Sequence, residues 1–165
     1  MGEIDLRPAN PADGEMIFCW RNHPVVRRYS GDAREIDWET HCEWFRQSLQ
    51  NPNRILLIAE ADGNPLGVLR YDLSETRLST QQSAQVSVYL KPEKIGQGYG
   101  ANLLVAGVQW IRNQHPSVSK LVAEILPENA ASIRAFERAG YVKSDAPAAQ
   151  PAVCREKLIY EYAIP

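Results

Sequence analysis

The sequence predicts an α/β fold in which strands lead through short turns into helices, and three stretches carry that prediction. Gln85-Val86-Ser87-Val88-Tyr89-Leu90 alternates polar and apolar residues at period two, as a half-buried strand does. It runs through Gly96-Gln97-Gly98-Tyr99-Gly100 into a helix whose Leu103, Leu104, Val108 and Ile111 share one face. Leu121–Leu126 is an apolar run fit for a buried strand, and a second helical pattern follows it from Asn129 to Ala139. Between residues 55 and 72, two β-rich runs flank Asp62-Gly63-Asn64, a strong hairpin turn. At 165 residues the chain reads as one domain, 1–165, long enough to bury a core without staples.

In order, Ile4 and Leu6 alternate with Asp5 and Arg7 as a short first strand. Asp13 is placed to cap a helix carrying Met16, Ile17 and Trp20, which ends at Trp20-Arg21-Asn22-His23 because Pro24 disfavours helix at His23. Residues 25–34 are polar and basic, and read as a loop or short turn. Asp37 precedes a second helix, Trp38 to about Leu49, with Glu39 and Glu43 toward its favourable N-terminal half. The hairpin strands are Ile55–Glu60 and Leu66–Asp72, and the Ser, Thr and Gln-rich stretch 74–83 is a polar loop. The helix after the glycine loop stops near Gln114, before His115-Pro116. Pro127 ends the next strand, Gly140 stops the motif helix in a left-handed turn, and Tyr141-Val142 starts another strand. An Ala and Pro-rich segment, 145–151, leads to a last strand near Cys154–Ile164.

Apolar residues make up 44% and charged residues 23% of the chain, an ordinary globular composition. A net charge of −2 gives no nucleic-acid footprint, so any basic patch is local. No run of about eighteen apolar residues occurs and Met1–Arg7 has no apolar leader core, which predicts a cytoplasmic protein without a membrane partner. Cys19, Cys42 and Cys154 are odd in number and form no metal-binding spacing, so they are expected to be reduced, buried thiols, with no metal.

The glycine loop between strand and helix is the chemical signal. Glycine permits positive φ and close backbone approach, and the first amides of a helix have no intrahelical acceptor, so Gln97, Gly98, Tyr99, Gly100 and Ala101 read as an anion cradle. A helix start that merely packs closely on a strand is the alternative. The second motif, Asn129-Ala130-Ala131-Ser132 through Phe136-Glu137-Arg138-Ala139-Gly140-Tyr141, decides between them. Together the two stretches resemble the GNAT superfamily of acetyl-CoA-dependent N-acetyltransferases, and the element order extends that resemblance over nearly the whole chain. The resemblance implies a mixed, mostly antiparallel sheet flanked by helices, with two middle strands splayed to admit acetyl-CoA. It also implies that Gly98 and Gly100 belong to the loop around the CoA pyrophosphate, that the helix at Asn129 lines the pantetheine arm, and that backbone near Val88 and Leu90 meets the oxyanion. Asn129, Ser132, Phe136 and Arg138 fall at the corresponding cofactor positions, with Lys94 and Arg134 beside them. Two positions depart from the family: Ile95 replaces the usual Gln or Arg, and Phe136 stands where many members carry a tyrosine that protonates the departing thiolate.

Acetyl transfer to an amine needs a neutral amine and a stabilised oxyanion. Glu124 is the first candidate base, since burial in an apolar strand would raise its pKa toward the working range; a glutamate on a solvent-facing edge is the alternative. His41 is the second, against the reading that a histidine on an aromatic-rich helix is packed. Tyr141 is the first of the hydroxyls in reach by family geometry that could replace the missing acid at 136, with Tyr89 and Ser132. Trp20, Arg21, Asn22, Arg27, His41, Arg70 and Tyr89 are the expected substrate contacts. The N-terminal set resembles the branch that acetylates nucleotide-linked amino sugars in pseudaminic acid synthesis, which implies a small amine, a UDP-linked 4-amino sugar, as acceptor. A ribosomal-protein or peptide N-terminal acetyltransferase shares part of the pattern, and a degenerate acyl-CoA-binding domain is the non-enzyme alternative. The family implies a monomer or a homodimer.

Overall fold

A computed structural model describes residues 3–74, 82–145 and 156–165. Among these residues seven strands, β1 (Ile4–Pro8), β2 (Arg54–Ala61), β3 (Asn64–Leu73), β4 (Gln82–Leu90), β5 (Val118–Ile125), β6 (Val142–Ser144) and β7 (Leu158–Ala163), form one sheet in the order β1-β2-β3-β4-β5-β7-β6. Of these strands β4 and β5 pair in parallel, and the other neighbours are antiparallel. The β2–β3 hairpin turns on Asp62 and Gly63, whose φ of 52° and 73° match the handedness that a two-residue hairpin loop requires.

Among the described residues, five α-helices cover the two faces: α1 (Gly14–Asn22), α2 (Pro24–Arg27), α3 (Trp38–Gln50), α4 (Tyr99–Gln114) and α5 (Ala130–Arg138). On one face Leu57, Leu69, Tyr71, Val86, Leu121 and Ala123 meet Leu103, Leu104, Val108 and Ile111 of α4 and Phe136 of α5. On the other, Leu56, Ile58 and Val68 meet Ile17 of α1 and Phe45 of α3. Strand alternation separates these sets, so neighbouring residues on β3, β4 and β5 serve opposite sides.

Several local expectations are revised. Asn10, not Asp13, caps the first helical turn, a 3-10 turn at Pro11–Asp13 that runs into α1. Asp13 instead takes Arg7 in a two-point ion pair at 2.8 and 2.9 Å and accepts the Asn10 amide at 2.8 Å. The stretch after His23 is helical at first, because Pro24 suits the opening position of a helix and His23 caps it. Cys19 and Cys42 are exposed thiols rather than buried ones; Cys154, residues 75–81 of the polar loop and residues 146–151 of the Ala and Pro-rich segment lie outside the described residues.

The Asp13 pair predicts a pH dependence of stability. Arg7 holds the Asp13 carboxyl below its ordinary value, helped by the Asn10 amide against the opposing effect of burial. The pair therefore stabilises the fold fully above the unfolded carboxylate range, about pH 4, and that contribution disappears as pH falls through the lower folded value. Urea midpoints of the parent and Asp13→Asn should differ at pH 7 and converge below about pH 4. A gap independent of pH would contradict the assignment.

Candidate active site

The middle of the sheet opens where the parallel pair ends. β4 and β5 are joined from Gln82↔Val118 to Val86↔Ala123 and no further. Beyond that rung β4 continues only against β3, and Glu124 and Ile125 of β5 only against β7. The Lys91 amide donates to the Leu66 carbonyl at 2.8 Å, which sets the phase of the β3–β4 ladder. With Gly67 opposite Leu90, Ser87 and Tyr89 turn their backbone groups toward β3. Val88 and Leu90 therefore point theirs into the opening, where β5 has left them without a ladder partner.

The glycine loop flanks this opening. Gly96 and Gly98 have φ of 82° and 87°, and Gly98 is the N-cap of α4 with no side chain over the helix end. A residue with a Cβ is strained at either position. Gln97 is spent locally: its amide donates to Lys94 O at 3.4 Å and its side chain to Glu93 O at 2.6 Å. The amides of Tyr99, Gly100 and Ala101 begin α4 and have no intrahelical acceptor, and no acidic residue sits in that turn to oppose an anion. Gly100 has a second role, because an added Cβ would stand 3.2 Å from the Ala135 Cβ of α5. Lys94 lies over the Tyr99 ring at 5.5 Å. This loop and the open strands fit a phosphate-bearing, extended ligand of the CoA kind.

On α5, Asn129 accepts the Ser132 amide at 3.1 Å and so caps the helix whose exposed Arg134 and Arg138 follow. Phe136 is 3% exposed and lies edge-on to Tyr141 at 4.9 Å. Tyr141 is likewise a core residue, 2% exposed, and burial pushes its phenol up, the Tyr162 ring adding to the effect. The hydroxyl expected to stand in for the missing acid is thus sealed behind the helix.

The opposite side of the opening carries the titratable groups. Glu124 alternates with Ala123 and Ile125, which belong to the α4–α5 core, so it faces the α1–α3 side. Its Oε2 accepts from Lys157 Nζ at 2.9 Å, and the two side chains are 12% and 22% exposed. On the same side, β4 presents Ser87 and Tyr89, and β3 presents Arg70, whose Nη2 donates to Ser87 Oγ at 3.2 Å. Burial raises the Tyr89 phenol, while Arg21 and Arg70 pull it down. Arg21 lies in the last turn of α1, Arg27 ends α2, and Trp20 and Tyr89 pack against the same buried cluster.

Two expected contacts are placed elsewhere. His41 is 2% exposed between α1 and α3, its Nε2 is 2.8 Å from Gly14 O, and Phe18, Trp38, Trp44 and Phe45 surround the ring. Burial lowers its pKa, so it is a neutral, packed imidazole held away from the opening. Asn22 spends its amide on the Ile36 backbone, donating at 2.7 Å and accepting at 2.9 Å, and thereby pins the loop that follows α2. Conversely, sequence reading passed over Lys157 and Ser87. Ser87 is recoverable from its period-two relation to Tyr89; Lys157 has no local signal, since only the β5–β7 register brings it to Glu124.

Residues 3–142 match the acetyltransferase (GNAT) domain family, and the chain belongs to it. Among curated relatives, the L-methionine sulfoximine/L-methionine sulfone acetyltransferase of Pseudomonas aeruginosa is 29% identical over 132 residues, covering 80% of this chain and 69% of the relative. Acetyltransferase PseH of Campylobacter jejuni is 22% identical over 129 residues, covering 78% and 76%. The solved aminoglycoside acetyltransferase AAC(6')-Ib in complex with coenzyme A and kanamycin superposes with a TM-score of 0.83 at 19% identity, over 98% of this chain and 95% of that one. The protein is therefore an acetyl-CoA-dependent GNAT N-acetyltransferase, with the mixed sheet and splayed strands that the glycine and Asn129 motifs led one to expect.

Proposed function

We propose that the protein acetylates the amino group of a small soluble acceptor, a UDP-linked 4-amino sugar. The observation that carries this reading is that two aromatic residues, Trp20 and Tyr89, lie on the same side of the sheet as Glu124. Aromatic rings offer a face to a sugar, and a carboxylate on that side suits its amine. The N-terminal pattern that resembles the amino-sugar branch supports the same acceptor.

Acetyl-CoA supplies the thioester carbonyl. The chain's own groups then have distinct tasks. Tyr99, Gly100 and Ala101 amides bind phosphate oxygens, and Asn129 and Ser132 fix the helix along the extended arm. The Val88 or Leu90 amide donates to the oxyanion, a role whose loss costs about 3–4 kcal/mol of barrier where such donors have been removed. Glu124 takes the proton of the incoming ammonium, because a protonated amine has no lone pair with which to attack. A thiol of pKa about 8.5 leaves as thiolate without an acid, so Phe136 is tolerated.

Thiol release should be measured on a panel of UDP-linked 4-amino sugars, aminoglycosides, L-methionine sulfoximine and N-terminal peptides. The highest kcat/KM is expected on a sugar nucleotide. Turnover confined to peptides would overturn the reading in favour of an N-terminal acetyltransferase.

A further inference from the structure

We propose that Arg21, Arg27 and Arg70 form an anion-binding site that takes a phosphoryl group of the acceptor, so that the enzyme selects anionic amines and rejects polycationic ones. The proposal rests on reading this side of the opening as the acceptor side. Five buried side-chain polar atoms lack a hydrogen-bond partner among the described residues. Two, Tyr71 Oη and Tyr141 Oη, lie in the core on the far face. The other three are Arg21 Nη1, Arg27 Nε and Arg70 Nε, on the α1–α2 and β3 side of the opening. Buried donors on charged groups are ordinarily hydrogen-bonded, and three guanidinium nitrogens on one side without a hydrogen-bond acceptor mark a place where a partner arrives from outside.

The neighbouring acids supply charge but no aligned acceptor to these three nitrogens. Arg21 Nη2 reaches only the carbonyl of Asp32, at 2.9 Å, because the Asp32 carboxylate is taken by Arg34 at 2.7 Å. Arg27 stands 4.0 Å from Glu35, whose side chain is 74% exposed. Asp72 is shared: Arg54 holds one oxygen at 2.6 Å, and Arg70 Nε lies 2.9 Å from the other without the alignment of a hydrogen bond. Glu124 is paired with Lys157. Positive charge is therefore in excess, and Arg21 feels both Arg27 and Arg70 while burial holds its guanidinium below the usual arginine value. Guanidinium forks match the planar, multi-oxygen geometry of phosphate and carry a full charge whatever the pH. An aminoglycoside or polyamine would bring several ammonium groups against this site, and like charges in a partly buried setting repel. The overall likeness to an aminoglycoside acetyltransferase accordingly extends to the fold and not to acceptor charge.

The test is isothermal titration of UDP into full-length protein saturated with coenzyme A, which occupies the glycine loop and leaves the acceptor side as the place to bind. UDP is expected to bind at one site, and affinity is expected to fall about tenfold or more for each guanidinium removed in Arg21→Gln and Arg70→Gln. Arg21→Lys, which keeps the charge and loses the fork, should fall between. Unchanged melting temperature and coenzyme A affinity in these variants exclude misfolding. UDP affinity indifferent to all three changes, a carboxylate amine such as L-methionine sulfoximine outbinding UDP, or kanamycin and spermidine turned over as well as sugar nucleotides would overturn the proposal. UDP binding that depends on the arginines without turnover of any UDP-amino sugar would leave the anion site standing and remove the proposed acceptor instead.

Discussion

Glu124→Gln is expected to lower kcat by about 10²-fold or more while acetyl-CoA affinity stays the same. Glutamine keeps the shape of the side chain but cannot accept a proton, and it leaves the Lys157 ammonium unbalanced at the place proposed for the acceptor's ammonium. Both effects act on the amine and neither on the glycine loop. The loss should shrink as pH rises, because an amine that is already neutral needs no base. A variant indistinguishable from the parent across pH would remove Glu124 from the mechanism. His41 offers no replacement, since its ring is enclosed by aromatics and bonded to Gly14 O.

Gly107→Val should be the most damaging change to stability, costing about 3 kcal/mol or more and lowering Tm by roughly 10 °C. Gly107 lies on the buried face of α4, and a Cβ there would collide with Leu69 Cδ2 and Tyr71 Oη of β3. Both partners are fully enclosed, with 0% exposure, so neither can swing aside. Gly100→Ala is the milder companion. Its Cβ would stand 3.2 Å from Ala135 Cβ, a contact that a small shift of α5 relieves. A Gly107→Val protein with parental Tm would mean that α4 sits farther from the sheet than the structure shows.

What was legible in the sequence was what the chain enforces locally. Asp62-Gly63 dictated the hairpin, Asp37 and Asn129 stood where helices begin and turn out to cap them, and Gly98 and Gly140 marked the places where φ is positive. Period-two alternation placed Val88 and Leu90 together, and the pairing of β3 then aims their amides into the opening. What escaped was decided by register and by competition between partners. Lys157 meets Glu124 across 33 residues because β7 lies beside β5, a juxtaposition with no trace in either segment. Asn22 and His41 have the residue types of contact groups, yet a backbone segment and a carbonyl claimed them first. The exposed thiols of Cys19 and Cys42 show the limit of composition: cysteine's tendency toward burial yields to the face of the helix on which it happens to stand.

Titration of acetyl-CoA into 15N-labelled protein, followed amide by amide, tests the central claim most directly. Shifts are expected at Val88 and Leu90 in the opening, at Tyr99, Gly100 and Ala101 in the first turn of α4, and at Ser132 on α5, while β1 and the far end of α4 stay still. No shift at millimolar ligand, or shifts that spare Val88, Leu90 and the first turn of α4, would contradict an acetyl-CoA site between the splayed strands.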